Sequence, residues 1–294
     1  MLAGSLAALA PGLALMAYVR AEDGVRLHYQ VWGPSDGEPL LLVHGLGADH
    51  RAWIMQRRAF GSRYRCIALD NRGVGSSDKP VGPYDLEVMA RDALQVLDAV
   101  GHESAHVVGV SMGGILAQII AVRAPERVRS LTLACTACRH LPWRRELLAE
   151  WVETAETEGM GVFVRDNMRW LMGPRSLRRV WPLATFLAPL VVNVPPHGFA
   201  AQARAILAMD DSMADELDAI RVPTLVTVGS QDSLTPRGDS EELAERIAAA
   251  ELVVIRGGAH MVQAEHAGTF NRVVRAHLDQ VSAQSSGQAE KRTA

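Results

Sequence analysis

The sequence predicts an α/β fold: a mostly parallel, eight-stranded sheet with helices on both faces and a helical insertion. Three observations predict it. Short apolar runs typical of buried strands alternate with amphipathic helical stretches of about 10–15 residues. The alternation stops between residues 136 and 209, where no strong strand pattern occurs. It then resumes in two further strand–helix units, so the insertion interrupts one sheet rather than joining two domains.

The strands and helices follow in order along the chain. Residues 18–21 and 25–32 flank the turn Glu22-Asp23-Gly24 and predict a hairpin, because glycine accepts the positive φ of such turns. Further strands are predicted at residues 39–43, 65–69, 105–109, 128–133, 223–228 and 252–255. Helices are predicted at residues 86–100, 111–123, 240–250 and 265–278.

These patterns divide the chain into a core, a cap and two terminal segments. We expect the α/β core in residues 17–135 and 210–280, with residues 136–209 as a helical cap over the edge of the sheet. The cap holds four of the six tryptophans: Trp143, Trp151, Trp170 and Trp181. Residues 281–294 are polar and lack a hydrophobic period, which predicts a disordered tail.

The first sixteen residues form an apolar N-terminal extension with three interpretations. Met16 is a candidate true start, which makes the preceding residues a start-site extension. A peripheral helix or disordered arm is the second interpretation, and export or membrane anchoring is the third. A signal peptide opens with positive charge, whereas the first basic residue here is Arg20. Pro11 and Gly12 also fit poorly in a membrane helix.

Composition excludes several classes of protein. The formal net charge is -3, so no basic field attracts nucleic acid. The three cysteines are too few, and odd in number, for a disulfide framework, and reduced thiols predict a cytoplasmic protein. Cys135 and Cys138 form a C-x-x-C pair with His140 close behind. No second pair stands at ligand spacing, so packing is favoured over a metal or redox site.

The segment Gly109-Val110-Ser111-Met112-Gly113 predicts a nucleophile at a strand-to-helix turn. It follows an apolar strand and opens a helix, whose N-terminal dipole favours developing negative charge. A buried serine in a glycine-rich turn is the alternative. Ser111 is therefore the candidate nucleophile, and it needs a base and a group that orients the base.

Two later strand ends supply these partners in the required order of serine, acid and histidine. Asp232 follows the strand at 223–228, and His260 follows the last strand in a glycine-rich loop. Asp232 has the alternative role of an Asx-turn residue. Asp210 and Asp211 compete as the acid, but they follow a helical stretch. We therefore expect Ser111, Asp232 and His260 to form a catalytic triad.

The oxyanion of such a reaction needs two backbone N–H donors. One is expected from Met112, the residue after the nucleophile, and the other from Leu46 in the glycine-rich loop after the early strand. A second glycine-rich turn at residues 70–77 holds Asp70 and Arg72. We expect it to stabilise a loop rather than bind a nucleotide, since no helix follows at once.

Together these segments resemble the α/β-hydrolase family. The resemblance rests on five motifs in family order: His44-Gly-Leu-Gly47, Asp70-x-Arg-Gly-x-Gly-x-Ser77, Gly109-x-Ser-Met-Gly-Gly114, Asp232-x-x-x-Pro236 and Gly258-x-His260. Within the family the chain is most similar to the 3-oxoadipate enol-lactonases and small carboxylesterases. A serine nucleophile departs from the dehalogenase and epoxide hydrolase branches, which use aspartate there.

The resemblance implies hydrolysis of a carboxylic ester or lactone through an acyl-enzyme. Carbon–carbon bond hydrolysis and cofactor-free perhydrolysis on the same triad are alternatives, as is a non-catalytic ligand-binding protein. We expect a small-molecule substrate, no metal or other cofactor, no nucleic acid and no membrane contact beyond residues 1–19. The expected substrate pocket is lined by His44, Gly45, Trp143, Trp170, Trp181 and Met261.

Overall fold

The described residues form a single eight-stranded sheet. The computed structural model describes residues 15–179 and 193–293, and the side chains of residues 16–179 and 193–285. The strand order is β1-β2-β4-β3-β5-β6-β7-β8. The strands are β1 (Leu15–Arg20), β2 (Arg26–Trp32), β3 (Pro39–Val43), β4 (Arg65–Leu69), β5 (Ala105–Val110), β6 (Val128–Ala134), β7 (Thr224–Gly229) and β8 (Ala250–Ile255).

The sheet is antiparallel only at the β1–β2 and β2–β4 pairs, and parallel elsewhere. The described helices are α1 (Arg57–Gly61), α2 (Leu86–Ala99), α3 (Met112–Arg123), α4 (Pro142–Thr157), α5 (Met160–Leu171), α6 (Pro196–Ala208), α7 (Ser212–Glu216), α8 (Arg237–Arg246), α9 (Val262–Glu265) and α10 (Ala267–Thr293). Residues 174–179 are also helical. The predicted mostly parallel α/β sheet is thereby confirmed.

Strand β3 explains why the central strands read as unbroken apolar runs. Every residue of β3 is buried. Leu41 and Val43 pack into one apolar cluster, while Leu40 and Leu42 pack into the other, on the opposite face. A fully buried leucine contributes about 1.5–3 kcal/mol, so covering both faces stabilises the centre of the sheet.

The helical cap lies between β6 and β7, as predicted. Helices α4, α5 and α6 fall in this interval, and α4 packs along α6. The described part of residues 136–209 contains no strand. The limits of the cap and of the two core segments stay predictions.

The sheet begins with the first residues that the structure describes. Leu15 and Met16 pair with Val31 and Gln30, so β1 begins two residues before the predicted start of the core at residue 17. The rest of the predicted extension, residues 1–14, lies outside the described residues. No helix in the described ranges is long and apolar enough to cross a membrane.

The prediction of a disordered tail over residues 281–294 is wrong, because α10 continues to Thr293. Val281 and Ser282 are buried, and the Ser282 hydroxyl also contacts the Glu38 carboxylate. The residues beyond include alanine, glutamine, glutamate and lysine, which are good helix formers. Low hydrophobicity was therefore a poor guide where a helix already anchored to the core continues.

Candidate active site

Ser111 stands in a strained turn between β5 and α3. Its φ is 56° and its ψ is -122°, a backbone conformation that L-residues rarely adopt. The Ser111 N–H donates to the Ala134 carbonyl at 3.0 Å, and its carbonyl accepts from the Thr136 hydroxyl at 2.8 Å. These bonds to the end of β6 hold the turn, so the serine side chain projects from the carboxyl edge of the sheet.

The two flanking glycines are required by close backbone contacts. A Cβ on Gly109 would lie 2.2 Å from the Gly113 carbonyl oxygen. A Cβ on Gly113 would lie 2.1 Å from the Val43 carbonyl oxygen. Both distances are far inside van der Waals contact, so the tight turn that presents Ser111 excludes any side chain at these positions.

The structure brings Ser111, His260 and Asp232 together. The Ser111 Oγ lies 3.0 Å from the His260 Nε2, and the His260 Nδ1 lies 2.9 Å from the Asp232 Oδ2. Asp232 and His260 are buried. The three side chains come from the ends of β5, β7 and β8, which meet at one edge of the sheet because these strands are parallel.

Asp232 is held as a carboxylate. Burial raises the pKa of this group, but His260 and the hydrogen bonds from Thr235 outweigh that effect and lower the pKa below its ordinary value. The Asp232 Oδ1 accepts the N–H groups of Leu234 at 3.0 Å and Thr235 at 2.9 Å. The carboxylate therefore faces His260 in a fixed orientation and remains charged at neutral pH.

The two expected oxyanion donors lie near Ser111: Met112 follows it in the chain, and Leu46 belongs to the loop after β3. No hydrogen bond within the described ranges uses the N–H of Leu46 or of Met112. Both residues line the cavity that contains Ser111. A Cβ on Gly45, next to Leu46, would lie 3.0 Å from the Ser111 Cβ, which places this loop against Ser111. Both N–H groups are thus available to a ligand at Ser111.

His44 supports the same loop as a neutral imidazole. Burial lowers its pKa to about 4. The His44 Nδ1 accepts the Gly45 N–H at 2.7 Å, so the neutral ring carries its proton on Nε2, beside the Gln263 amide. The ring therefore fixes the backbone next to Leu46 without adding charge to the site.

A cavity of about 730 Å³ opens above Ser111. Among the predicted pocket residues, His44, Gly45 and Met261 line it. The remaining wall includes many apolar side chains of the cap, among them Leu148, Trp151, Met160, Phe163, Phe199 and Ile206. A ligand in this cavity is therefore enclosed by the sheet edge below and the cap above.

The prediction that Trp143 and Trp170 line the pocket is wrong. Neither residue borders the cavity, and their rings stack on each other with centroids 6.2 Å apart. In α4 the residues that face the cavity are Arg144, Leu148 and Trp151, spaced at helical intervals of four and three. Trp143 lies about 100° around the helix from Arg144 and so faces elsewhere. Trp181 lies outside the described residues.

A family model described as alpha/beta hydrolase fold matches residues 38–267. That span covers well over half of the chain and every residue of the candidate site. The chain belongs to the α/β-hydrolase family. The six strands β3–β8, the helical cap and the strained serine turn all lie in the matched region.

Similar proteins extend the match to the whole fold. A protein described as a carbamate hydrolase, RutD, from Azorhizobium caulinodans is 33% identical over 88% of this chain and 97% of its own. A 3-oxoadipate enol-lactonase from Acinetobacter baylyi is 29% identical over 85% of this chain and 92% of its own. The crystal structure of an enol-lactonase from Burkholderia xenovorans superposes with a TM-score of 0.83 at 28% identity, over 90% of this chain and 100% of the other. The protein is thus an α/β hydrolase near the enol-lactonase group.

Thr235 is a residue of this α/β hydrolase that the motif search missed. Its hydroxyl donates to the Asp232 Oδ2 at 2.8 Å and lies 3.2 Å from the His260 Nδ1. Thr235 therefore touches both members of the acid–base pair. Its position three residues after Asp232 in a tight loop could have indicated this contact, because a hydroxyl at that spacing can fold back on the carboxylate.

The motif search also missed a buried ion pair that ties the cap to the Asp232 loop. The Arg144 guanidinium contacts the Asp239 carboxylate, and its Nε donates to the Leu234 carbonyl at 2.8 Å. Arg144 is fully buried. No sequence pattern predicts this pair, because its partners lie in α4 and α8, almost one hundred residues apart.

The turn at residues 70–77 has the loop-stabilising contacts expected of it. The Asp70 carboxylate accepts a hydrogen bond from the Nδ1 of His28 at 2.8 Å and another from the Nδ1 of His50 at 2.7 Å. These hydrogen bonds hold the pKa of Asp70 well below its ordinary value, against the effect of burial. The three side chains are close enough to ligate a metal ion, but each Nδ1 already bonds the carboxylate. Asp70 therefore links His28 and His50 through hydrogen bonds.

All three cysteines are free and buried, so Cys135 and Cys138 do not form a disulfide. Cys135 has a positive φ of 47° at the end of β6. Burial raises the pKa of both thiols, which disfavours the reactive thiolate. Both side chains are packed in the protein interior.

Proposed function

We propose that this protein cleaves a carboxylic ester or lactone of a small molecule, with Ser111 as nucleophile. The observation that carries the proposal is the connected series from the Ser111 Oγ through both nitrogens of His260 to Asp232, with separations of 3.0 and 2.9 Å. A serine hydroxyl becomes a competent nucleophile when an oriented imidazole accepts its proton. The similarity to enol-lactonases supports the same chemistry.

The proposed reaction has two halves. His260 takes the Ser111 proton as the Ser111 oxygen bonds to the substrate carbonyl carbon, and the N–H groups of Leu46 and Met112 stabilise the oxyanion. The tetrahedral intermediate collapses, and His260 gives its proton to the departing alkoxide. Water then attacks the acyl-enzyme, losing a proton to His260, and the acid is released as Ser111 regains its proton. Asp232 stabilises the transient imidazolium throughout.

Replacing the nucleophile tests the proposal. Ser111→Ala should lower kcat on a p-nitrophenyl ester by roughly a millionfold, because no other side chain replaces the attacking oxygen. The exposed Ser62 gives a matched control, and Ser62→Ala should retain wild-type kcat. Retained turnover in Ser111→Ala, with an unchanged thermal unfolding curve, would rule the proposal out.

Carbamate hydrolysis is a second candidate, favoured by the 33% identical relative described as a carbamate hydrolase. The same triad and oxyanion donors would act on a carbamate carbonyl. A panel of esters, lactones, carbamates and dienone acids distinguishes these activities. We expect the highest kcat/KM on an ester or lactone; a carbamate preferred by more than tenfold would reverse the order of the two candidates.

A further inference from the structure

His140 is a buried polar group inside the wall of the cavity. It precedes α4, is 7% exposed and lines the same cavity as Ser111. Neither of its ring nitrogens has a hydrogen-bond partner among the described residues. Buried imidazoles are nearly always partnered in folded proteins, so an unpartnered one that borders a cavity is positioned to bond a ligand.

The ring of His140 is neutral, and its backbone is held in place by Arg145. Burial, reinforced by the charges of Arg144 and Arg145, lowers its pKa to about 4. The Arg145 Nε donates to the His140 carbonyl at 3.0 Å, and the same guanidinium binds the carbonyls of Leu207 and Met209. A neutral imidazole offers one donor and one acceptor, which suits an uncharged hydroxyl, carbonyl or amide.

The cavity is poorly suited to an anionic substrate. Its two described arginines are engaged: Arg51 pairs with Asp49, and Arg144 contacts Asp239. The five arginines at residues 165–179, which made this part of the sequence locally basic, do not line the cavity. Residues 180–192 contain no lysine, arginine or histidine in their sequence. A substrate carboxylate would therefore lose its hydration without gaining an unengaged cation.

The cap side of the cavity also carries apolar side chains and an indole N–H. Leu148, Ile206 and Trp151 line the cavity on the cap side. The Trp151 Nε1 also lacks a partner among the described residues. An apolar chain fits this wall, and a polar group on that chain has two places to bond.

We propose that the substrate is an uncharged ester or lactone whose apolar chain carries a second hydrogen-bonding group, and that His140 binds this group. The inference rests on the proposed function, since the scissile carbonyl must lie at Ser111. His140 is then a specificity-determining residue: it discriminates among acyl chains without taking part in bond cleavage.

A matched set of methyl esters tests the inference by pH-stat assay. The set comprises methyl octanoate, its hydroxylated analogues with the hydroxyl moved along the chain one carbon at a time, and the monomethyl ester of the dicarboxylic acid of equal length. For the wild type we expect kcat/KM for one hydroxylated ester to exceed that for methyl octanoate by about tenfold, the effect of one hydrogen bond. The carboxylate ester should be the poorest substrate.

His140→Phe should abolish this preference while retaining turnover of methyl octanoate, and His140→Gln should restore part of it. His102→Phe, in the loop after α2, is the matched control and should keep the wild-type preference. An equal preference in wild type and His140→Phe would overturn the inference, as would a carboxylate ester hydrolysed as well as the neutral ones. In either case Ser111-dependent hydrolysis of methyl octanoate would leave the proposed function standing; its loss would count against the proposed function itself.

Discussion

At the scale of single residues, the geometry of the site depends on the fixed negative charge of the Asp232 carboxylate. Asp232 accepts two backbone N–H groups and the Thr235 hydroxyl, and it faces the His260 Nδ1 at 2.9 Å. This arrangement selects the tautomer of His260 whose unprotonated Nε2 faces the Ser111 hydroxyl. In the proposed reaction the carboxylate therefore acts through His260 rather than on the substrate.

Removing that charge should slow catalysis without removing the site. Asp232→Asn keeps the side-chain shape but favours the wrong tautomer of His260, so kcat on a p-nitrophenyl ester should fall about ten-thousandfold. The matched control is Asp210→Asn, because Asp210 was the competing acid in the sequence and is exposed in the structure. Activity of Asp232→Asn within tenfold of wild type would contradict the assigned role.

The sequence was sufficient to predict that Ser111, Asp232 and His260 come together, because each follows an apolar strand and their order along the chain is restrictive. It was insufficient for Thr235 and Arg144. Their contacts depend on the path of the loop after β7 and on the packing of α4 against α8. These are tertiary distances that local patterns do not encode.

At the scale of secondary structure, helix α3 must lie very close to the sheet. Gly113 is its second residue, and it packs directly against the backbone of β3. Gly161 is likewise the second residue of a helix, α5, but a Cβ there would meet no atom within 4 Å. The two glycines share a helical position and differ only in their surroundings.

This contrast gives a paired prediction. Gly113→Ala should lower the free energy of unfolding by at least ~1–3 kcal/mol, because α3 must move away from β3. Gly161→Ala should leave it unchanged or raise it by up to ~1 kcal/mol, since alanine restricts the unfolded chain and favours the helix. Urea unfolding of both variants checks the pair. Equal effects would show that α3 does not require the close contact.

The strands were predicted well because a strand that is buried on both faces has a continuous apolar sequence, as in β3. The cap was predicted as helical, but not which tryptophans face the cavity. Trp143 and Trp151 both lie on α4, and only the angle at which α4 meets the sheet decides between them. The buried residues of α4 form one stripe, and amphipathicity does not determine which part of that stripe faces the cavity.

At the scale of the whole molecule, buried histidines make the fold sensitive to acid. The pKa values of His44 and His140 are lowered to about 4 from the ordinary 6.5. At pH values between about 4 and 6.5, these two histidines bind protons in the unfolded chain but not in the folded chain. Acidification therefore favours unfolding. Asp239 opposes this trend, because burial raises its pKa to about 6 despite Arg144.

The free energy of unfolding should therefore fall as the pH is lowered from about 7 to about 5. His140→Phe should reduce that loss by about 2 kcal/mol, the linkage contribution of one such histidine over this range. His197→Phe replaces an exposed histidine and should leave the loss unchanged. Urea unfolding at both pH values supplies the measurement. An identical loss in wild type and His140→Phe would contradict the assignment.

The central claim is that Ser111 is the nucleophile of this α/β hydrolase, and covalent labelling tests it most directly. A fluorophosphonate probe should add one adduct per chain, detected by intact-mass spectrometry and located at Ser111 by peptide mapping. Ser111→Ala should not be labelled, and His260→Ala should be labelled far more slowly, because the hydroxyl then lacks its base. Labelling at another residue, or ester turnover that continues in an unlabelled protein, would contradict the claim.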